Sequence, residues 1–378
     1  MPTRQGPLAG TNVIELAGIG PAPYAGQVLS DMGADVIVID RPGPGRKAID
    51  ARGKRSIVLD LKQPAAIATL LKLIAKADVL IEGLRPGVTE RLGVGPEACH
   101  AVNPKLVYGR MTGWGQSGPW SQMAGHDINY ISMTGALNAM GRKGEPPMPP
   151  LNLVGDFGGG SMFLVTGILV ALLVAEKTGQ GDIVDASIID GTNSLMSFIY
   201  GMAGLGQWRA ARESNLLDGA APYYRCYATL DGKFMAVGCI EPQFFSAMME
   251  RLPVDADAYG GQNDFGRWGA QHAILEAIFA AKTRDEWEEV FAGTDACVTP
   301  VLDYAEAATH PANAARQTHV SQPGWTHPQI APRLASAALA SGFTIPVKGG
   351  DCADVLAQAG LSESDIAALI ETGAVVAG

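Results

Sequence analysis

Over the first 112 residues, short apolar runs rich in β-branched side chains alternate with stretches of helix length. Residues 13–17 read as a strand, and a Gly/Pro turn, GIGPAP from Gly18, leads into a helix ending near Gly33. Residues 35–40 (DVIVID), 56–60, 79–82 and 106–110 repeat the strand pattern, while 64–76 have helical spacing and abundant Ala and Leu. Strands separated by helix-length segments imply parallel βαβ units with right-handed crossovers. The expected fold is therefore α/β, with a large doubly wound, Rossmann-like parallel sheet.

Between Thr112 and Asp156 this periodicity gives way to glycine and proline punctuation, including GWGQSGP from Gly113 and EPPMPP from Glu145. An irregular segment of that length inside a compact domain is usually functional. Residues 157–175 then carry no charge. Their length alone permits a membrane crossing, but Gly158, Gly159, Gly160 and Ser161 leave only 162–175 truly apolar. A helix buried on all sides of a large core is expected, with no membrane span. A strand at 182–187 and a helix from about 191 to 209 follow. Residues 223–230, the turn Asp231-Gly232 and residues 233–240 form a hairpin, with helical segments at 242–251, 268–281 and 284–291. The expected organisation is a large domain over 1–190, a linker helix over 191–220 and a smaller α+β domain over 221–310. Residues 311–378 form a Pro-rich return linker and a capped C-terminal helix from Ser362, packing on the large domain.

Composition narrows the function classes. With 378 residues, 47% hydrophobic and 17% charged, the chain has material for a large core and lacks the signature of disorder. A net charge of −10 argues against a nucleic-acid binder, which needs a surplus of Lys and Arg, although a local basic pocket can still hold a small anion. Five scattered cysteines without a CxxC pair fit a reducing compartment rather than a disulfide scaffold or thiolate metal site. MPTRQGPLAG has charge but no apolar run, and AVVAG is no peroxisomal address, so the expected location is the cytoplasm.

Candidate chemistry lies mostly in the irregular segment. Gly18 and Gly20 after a strand, with Asp40 some twenty residues on, suggest a dinucleotide fingerprint, but Pro23 stands where its third glycine belongs. A plain strand-to-helix turn is the better reading. None of the histidines at 100, 126, 272, 310, 319 and 327 has metal-ligand spacing to another ligand, so no metal is expected. His126, in AGHDINY, differs because a helix starts behind it, where the N–H groups of Asp127 and Ile128 would be free to bind an anion. Asp156, in LNLVGDFGGGS, is either the N-cap of the apolar helix or a general acid/base, since a carboxyl in so apolar a stretch resists ionisation. The glycines at 158–160 leave space for another molecule to press on the backbone. Glu241, at a strand end before Pro242, is either a cap or a carboxylate that reaches an imidazole. Ser117 and Ser161 both miss the GxSxG spacing of a hydrolase elbow.

Seven segments taken together resemble the α-methylacyl-CoA racemases, a branch of the family III CoA-transferases. They are VIDRPG (38–43), LDLK (59–62), EGLRPGVTERLG (82–93), GRMTGWGQSGP (109–119), AGHDINY (124–130), PLNLVGDFGGGSMF (150–163) and GCIEPQF (238–244). The resemblance reaches to about residue 310, and His126 points to the racemase branch. It implies an interlocked homodimer, with each active site between the large domain of one chain and the small domain of the other. The implied substrates are 2-methyl-branched acyl-CoA thioesters, inverted at the α-carbon without metal, flavin or pyridoxal phosphate. No cofactor is expected, CoA being part of the substrate. Two bases are implied, His126 and Asp156, on opposite faces of the α-carbon, with Glu241 holding the His126 ring and the Asp127 N–H as oxyanion donor. CoA contacts carry over to Arg41, to Leu59, Asp60, Leu61 and Lys62, to Gly83, Leu84, Arg85, Pro86 and Gly87, to Arg91, and to Gly125, His126, Asp127, Ile128, Asn129 and Tyr130. The alternative is a family III CoA-transferase in which Asp156 is the nucleophile; a catalytically silent acyl-CoA-binding protein is a third reading.

Overall fold

Six strands form one sheet in the computed structural model, which describes residues 5–44 and 51–378. They are β1 (Asn12–Leu16), β2 (Asp35–Asp40), β3 (Arg55–Val58), β4 (Val79–Glu82), β5 (Val107–Thr112) and β6 (Ile183–Ser187). The order is β3-β2-β1-β4-β5-β6 and every pairing is parallel, so the direction of winding reverses between β1 and β4. Successive side chains of one strand enter opposite layers, as the pleat requires. Ile14, Leu16, Ile37, Ile39 and Leu80 pack with the helices Pro64–Ile74, Cys352–Gln358 and Glu363–Glu371. Val13, Val36, Val79 and Ile81 pack with the helices Pro21–Asp31 and Met162–Thr178. Each fully buried side chain of this kind contributes roughly 1.5–3 kcal/mol, so the strands are held from both faces.

The chain divides into two units. The larger comprises Met1–Ala136, Pro150–Met196 and Gln317–Gly378, the smaller Leu137–Pro149 and Ser197–Arg316. Residues 137–149 thus join the smaller unit, although the sequence reading put them in the large domain. The single linker helix is also corrected. It is two short helices, Ile188–Leu195 and Ser197–Gly204, and the chain changes unit between them. Glycines at 201, 204 and 206 weaken helix in this stretch, and Ser197–Gly204 buries none of its residues.

The apolar helix requires a third correction. Helical structure runs from Leu153 to Thr178, long and apolar enough to cross a membrane by length and composition. It is not buried on all sides, because one sheet can cover only one of its faces. Leu164, Val165, Ile168, Ala171 and Ala175 are buried, while Val170, Leu173 and Val174 are exposed.

In the smaller unit, β7 (Tyr224–Ala228), β8 (Phe234–Gly238) and β9 (Val298–Pro300) form an antiparallel sheet, with the expected hairpin in register Tyr227↔Met235. Its core is aromatic, with Tyr227, Tyr259, Phe279 and Trp287 wholly buried. The Pro-rich return segment carries a short hairpin, His319–Gln322 with Trp325–Pro328, that the sequence reading did not include. All five cysteines are free.

Candidate active site

In an open α/β sheet, ligands bind beyond the carboxyl ends of the strands, where the strand order reverses. A cavity of ≈ 430 Å³ lies at that point. Its walls are Ile19, Gly20, Pro21 and Ala22 after β1, Gly83, Leu84, Arg85 and Pro86 after β4, and Met111, Thr112, Gly113 and Trp114 at the end of β5. Gly125, His126, Tyr130 and Asp156 complete it with Ser121, Met123, Ala124 and Ile188.

His126 is exposed and immediately precedes the helix Asp127–Ser132. Its carbonyl accepts the Asn129 N–H at 2.8 Å and its own N–H donates to Asn129 Oδ1 at 3.1 Å, which fixes the backbone there. The N–H groups of Asp127 and Ile128, in the first turn, have no acceptor within the helix. Most other histidines are tied into local structure. The ring nitrogens of His100 and His272 face the carbonyls of Leu106 and Ala220, and His310 pairs with Glu288. His327 is buried between the rings of Trp325 and Phe343.

Asp156 is not an N-cap. It is the fourth residue of a π-helix, Leu153–Ser161, that runs directly into Met162–Thr178. Such π segments inside helices are frequent at functional sites. The Asp156 N–H donates to Asp127 Oδ2 at 2.7 Å, and Asn152 Nδ2 donates to Asp156 Oδ2 at 3.5 Å. Gly20, at φ 72°, stands opposite, and a Cβ there would lie 3.3 Å from Asp156 Oδ2. Burial, reinforced by the negative charge of Asp127, pushes the Asp156 carboxyl above the ordinary carboxylate range, against the Asn152 hydrogen bond and the attraction of His126. Burial also raises Asp127, against hydrogen bonds from the N–H groups of Asp156 and Gly155. Tyr130 is raised by burial and by the Asp156 charge.

The glycines after Asp156 do not make room for a ligand, as the sequence suggested. A Cβ on Gly159 would lie 2.4 Å from Thr192 Oγ1, and one on Gly160 3.3 Å from Pro21 and Met111. The space is filled by the helix Ile188–Leu195 and by the turn after β1. Two glycines of the irregular segment act in the same way, since a Cβ on Gly113 or Gly125 would meet the Tyr130 ring at 2.0 or 2.7 Å. That ring and the Trp120 ring both meet Trp114 edge-on, at 4.8 and 4.9 Å.

The sequence reading assigned no role to Arg110. Its Nε donates to Glu82 Oε1 at 2.9 Å and its Nη1 to Glu90 Oε1 at 2.8 Å, while Glu82 Oε2 accepts the Leu84 N–H at 2.7 Å. The β4–β5 register places Glu82 directly opposite Arg110. This clamp fixes the loop that carries Arg85. A charged residue inside an apolar strand, as in VYGRMT, is a readable signal for it, but the partners depend on strand neighbours that the sequence does not state.

The residues to which CoA contacts were carried over fall into separate places. Gly83, Leu84, Arg85, Pro86, Gly125, His126 and Tyr130 line the cavity, whereas Leu61, Lys62 and Arg91 line an open recess beside the helix Pro64–Ile74. Asp127 is buried; Gly87, Asp127 and Asn129 each follow or precede a lining residue in sequence, Ile128 lies between the last two, and Arg41 and Asp60 line neither space. Leu59 is corrected: it is 0% exposed in the sheet core, so its side chain cannot meet a ligand. Among the described residues, Arg41, Lys62, Arg85 and Arg91 are exposed and take part in no ion pair. Asp40 is occupied by Ser56 Oγ at 2.7 Å, consistent with a plain turn rather than a dinucleotide seat. Glu241 belongs to the smaller unit. Its carbonyl accepts the N–H groups of Phe244 and Phe245, and its exposed carboxylate makes no capping bond.

A larger cleft of ≈ 860 Å³ lies elsewhere on the larger unit, between Asp31 and the return segment. Its basic wall residues are already committed, Lys54 to Glu15 at 2.7 Å and Arg55 to Asp35. Among the described residues its wall offers no uncommitted cation, whereas the smaller cavity is lined by both an imidazole and a raised carboxyl. No group of three metal-ligating side chains occurs among the described residues.

A doubly wound sheet with an imidazole and a raised carboxyl lining one cavity at its reversal point marks the site, and residues 8–347 match the model of CoA-transferase family III. The chain belongs to that family. It is 43% identical over 361 residues to the α-methylacyl-CoA racemase of Mus musculus, covering 95% of each chain. Against the racemase of Homo sapiens it is 43% identical over 363 residues, again 95% of each. Among solved structures, a CAIB/BAIF family protein from Brucella suis superposes with a TM-score of 0.80 at 25% identity, covering 94% of this chain and 99% of that one.

Proposed function

We propose that this protein is a racemase of 2-methylacyl-CoA thioesters, acting by two-base proton transfer through an enolate. The observation that carries the reading is that His126 and Asp156 both line one cavity, in a chain 43% identical to two α-methylacyl-CoA racemases. A thioester α-proton is weakly acidic, so its removal needs an adjacent base and donors aimed at the oxygen that gains charge. Inversion needs a second group on the opposite face. In one direction neutral His126 takes the α-proton while protonated Asp156 supplies one to the other face; in the reverse direction the roles exchange. Burial and the Asp127 charge favour the protonated Asp156 that one of these directions requires. The Asp127 N–H is assigned to the enolate oxygen and Glu241 to the orientation of the His126 imidazole. Arg85 and Arg91 are assigned to the CoA phosphates, a role supported by their exposure and lack of ion pairs among the described residues.

The same proposal includes a homodimer, supported by the exposed apolar face at Val170, Leu173 and Val174. It also includes a cytoplasmic location, supported by five free thiols, and no cofactor, since two side-chain bases supply the proton transfers. The test is incubation of a single 2-methylacyl-CoA epimer in deuterated water with a free carboxylic acid present. The expected product is the inverted epimer carrying deuterium at the α-carbon, with CoA remaining on its original acyl group. Movement of CoA without α-exchange would make the protein a transferase with Asp156 as nucleophile, and binding without either would make it a silent acyl-CoA carrier.

A further inference from the structure

One side chain joins the segment that carries His126 to the segment that carries Asp156. Asp127 is 8% exposed and its Oδ2 accepts the Asp156 N–H at 2.7 Å. Gly155 is required for this approach, because a Cβ there would lie 2.4 Å from Asp127 Oδ2. Asp127 Oδ1 is buried and without a hydrogen-bond partner among the described residues. A carboxylate used only as a helix clip is normally given a full set of partners or a cation, since an unpaired buried charge is costly. Here neither is present, whereas Glu82 has both Arg110 and the Leu84 N–H.

We propose that the Asp127 side chain is a positioning group for the two-base site, and that its charge as well as its hydrogen bond is used. The inference rests on the reading of His126 and Asp156 as the two bases. The hydrogen bond sets where Asp156 stands on the cavity wall, one residue away from the backbone that sets His126. The charge acts on the same carboxyl through space. The titratable groups around Asp156 are Asp127 and His126 from the helix Asp127–Ser132 and its start, Tyr130 from the same helix, and Arg85 beyond Tyr130. From the helix Ile188–Leu195, Asp190 is bound by Ser187 Oγ; from Pro21–Asp31, Tyr24 packs on Phe157. Asp127 is therefore the carboxylate whose charge bears on Asp156. Its effect is to favour the protonated form of Asp156, which one direction of a two-base racemisation needs.

Two variants separate hydrogen bond from charge. Asp127→Asn keeps an acceptor for the Asp156 N–H and removes the charge; Asp127→Ala removes both. The direct readout is the titration of the Asp156 carboxyl in the ligand-free protein, followed by carbon NMR with aspartate labelled at the carboxyl carbon and assigned through Asp156→Asn. The expected result is a lower midpoint in Asp127→Asn. The acid limb of the kcat/KM profile moves to lower pH by the same amount in both directions, because the ratio of the two directions is fixed by the reaction equilibrium. In Asp127→Ala, kcat falls further by about 10²-fold, the usual cost of a catalytic group misplaced by about an ångström, while KM changes little. An unchanged Asp156 midpoint and acid limb in Asp127→Asn overturn the role of the charge, and equal kcat in the two variants overturns the role of the hydrogen bond. If Asp127→Ala does not fold, Asp127→Asn still decides the charge, and comparison of its kcat with wild type decides whether the retained hydrogen bond suffices. The NMR midpoint is read without substrate, so a failure of the two-base reading, seen as normal racemisation by Asp156→Ala, is distinguishable from a failure of this one.

Discussion

Glu82 and Asp156 both sit at the carboxyl end of the same sheet, and burial pushes both carboxyls above the ordinary range, yet their surroundings differ. Glu82 meets the Arg110 guanidinium and the Leu84 N–H, and the same guanidinium holds Glu90 below its ordinary value in spite of partial burial. Among the described residues Asp156 has only Asn152 as a side-chain donor, at 3.5 Å, and another carboxylate as its neighbour. A buried acid given a cation is fixed in one charge state and serves to hold a loop. One given a second acid remains able to take and lose a proton. The first arrangement is scaffold for the cavity, and the second is the one to which the proposed mechanism assigns the chemistry.

The comparison is broken most directly by removing the cation. Arg110→Met leaves Glu82 buried without its partner, and loss of one member of a buried pair typically costs about 3–5 kcal/mol. Urea unfolding should therefore show a large fall in midpoint, together with weakened acyl-CoA binding through the released loop. A change within the noise of the measurement would mean that the clamp contributes little and that the loop is held by other contacts.

A smaller effect is expected at the uncommitted cations. If Arg85 and Arg91 each make a charge-assisted hydrogen bond to a phosphate, replacement by Ala should weaken acyl-CoA binding by about 1.5–3 kcal/mol. Added salt should weaken the wild type too. Titration calorimetry at two ionic strengths checks both, and salt-independent binding would remove these side chains from phosphate recognition.

The smallest effect sharpens the contrast through stability. A carboxyl whose pKa is raised on folding stabilises the fold fully below its unfolded pKa and loses that contribution as pH rises through its folded pKa. Asp156 is raised, so its ionised form is a liability near neutral pH. Asp156→Asn should raise Tm by a few degrees at pH 7, with the gain vanishing as pH falls through the carboxylate range. Scanning calorimetry at several pH values measures this, and a destabilised variant at pH 7 would show that Asp156 is held for structure.

The difference between the two acids also explains what the sequence revealed. The six parallel strands were legible because apolar β-branched runs such as DVIVID stand between helical stretches, and a strand buried on both faces leaves that mark. His126 and Asp156 were legible because each is an ionisable group set in an unusual neighbourhood, AGHDINY and LNLVGDFGGGS. The π-helix was not, because its four glycines weaken any helical pattern, and the contacts of Gly158 and Gly159 with the helix Ile188–Leu195 are not written in the local sequence. Arg110 was visible as a charge in a strand, but Glu82 becomes its partner only through the β4–β5 register. One-sided exposure of Met162–Thr178 was hidden for the reverse reason, since an apolar stretch looks the same whether a sheet covers one face or both are covered.

The central claim is that His126 and Asp156 serve opposite faces of one α-carbon. It is tested by α-proton exchange in deuterated water, with each 2-methylacyl-CoA epimer given separately to His126→Ala and Asp156→Ala. Net racemisation should fall by ~10²–10⁴-fold in both, the usual cost of losing a positioned acid or base. The base that remains still reaches its own face, so each variant should exchange the proton of one epimer only, and the two variants should prefer opposite epimers. Exchange of the same epimer by both variants, or normal racemisation by Asp156→Ala, would contradict the assignment.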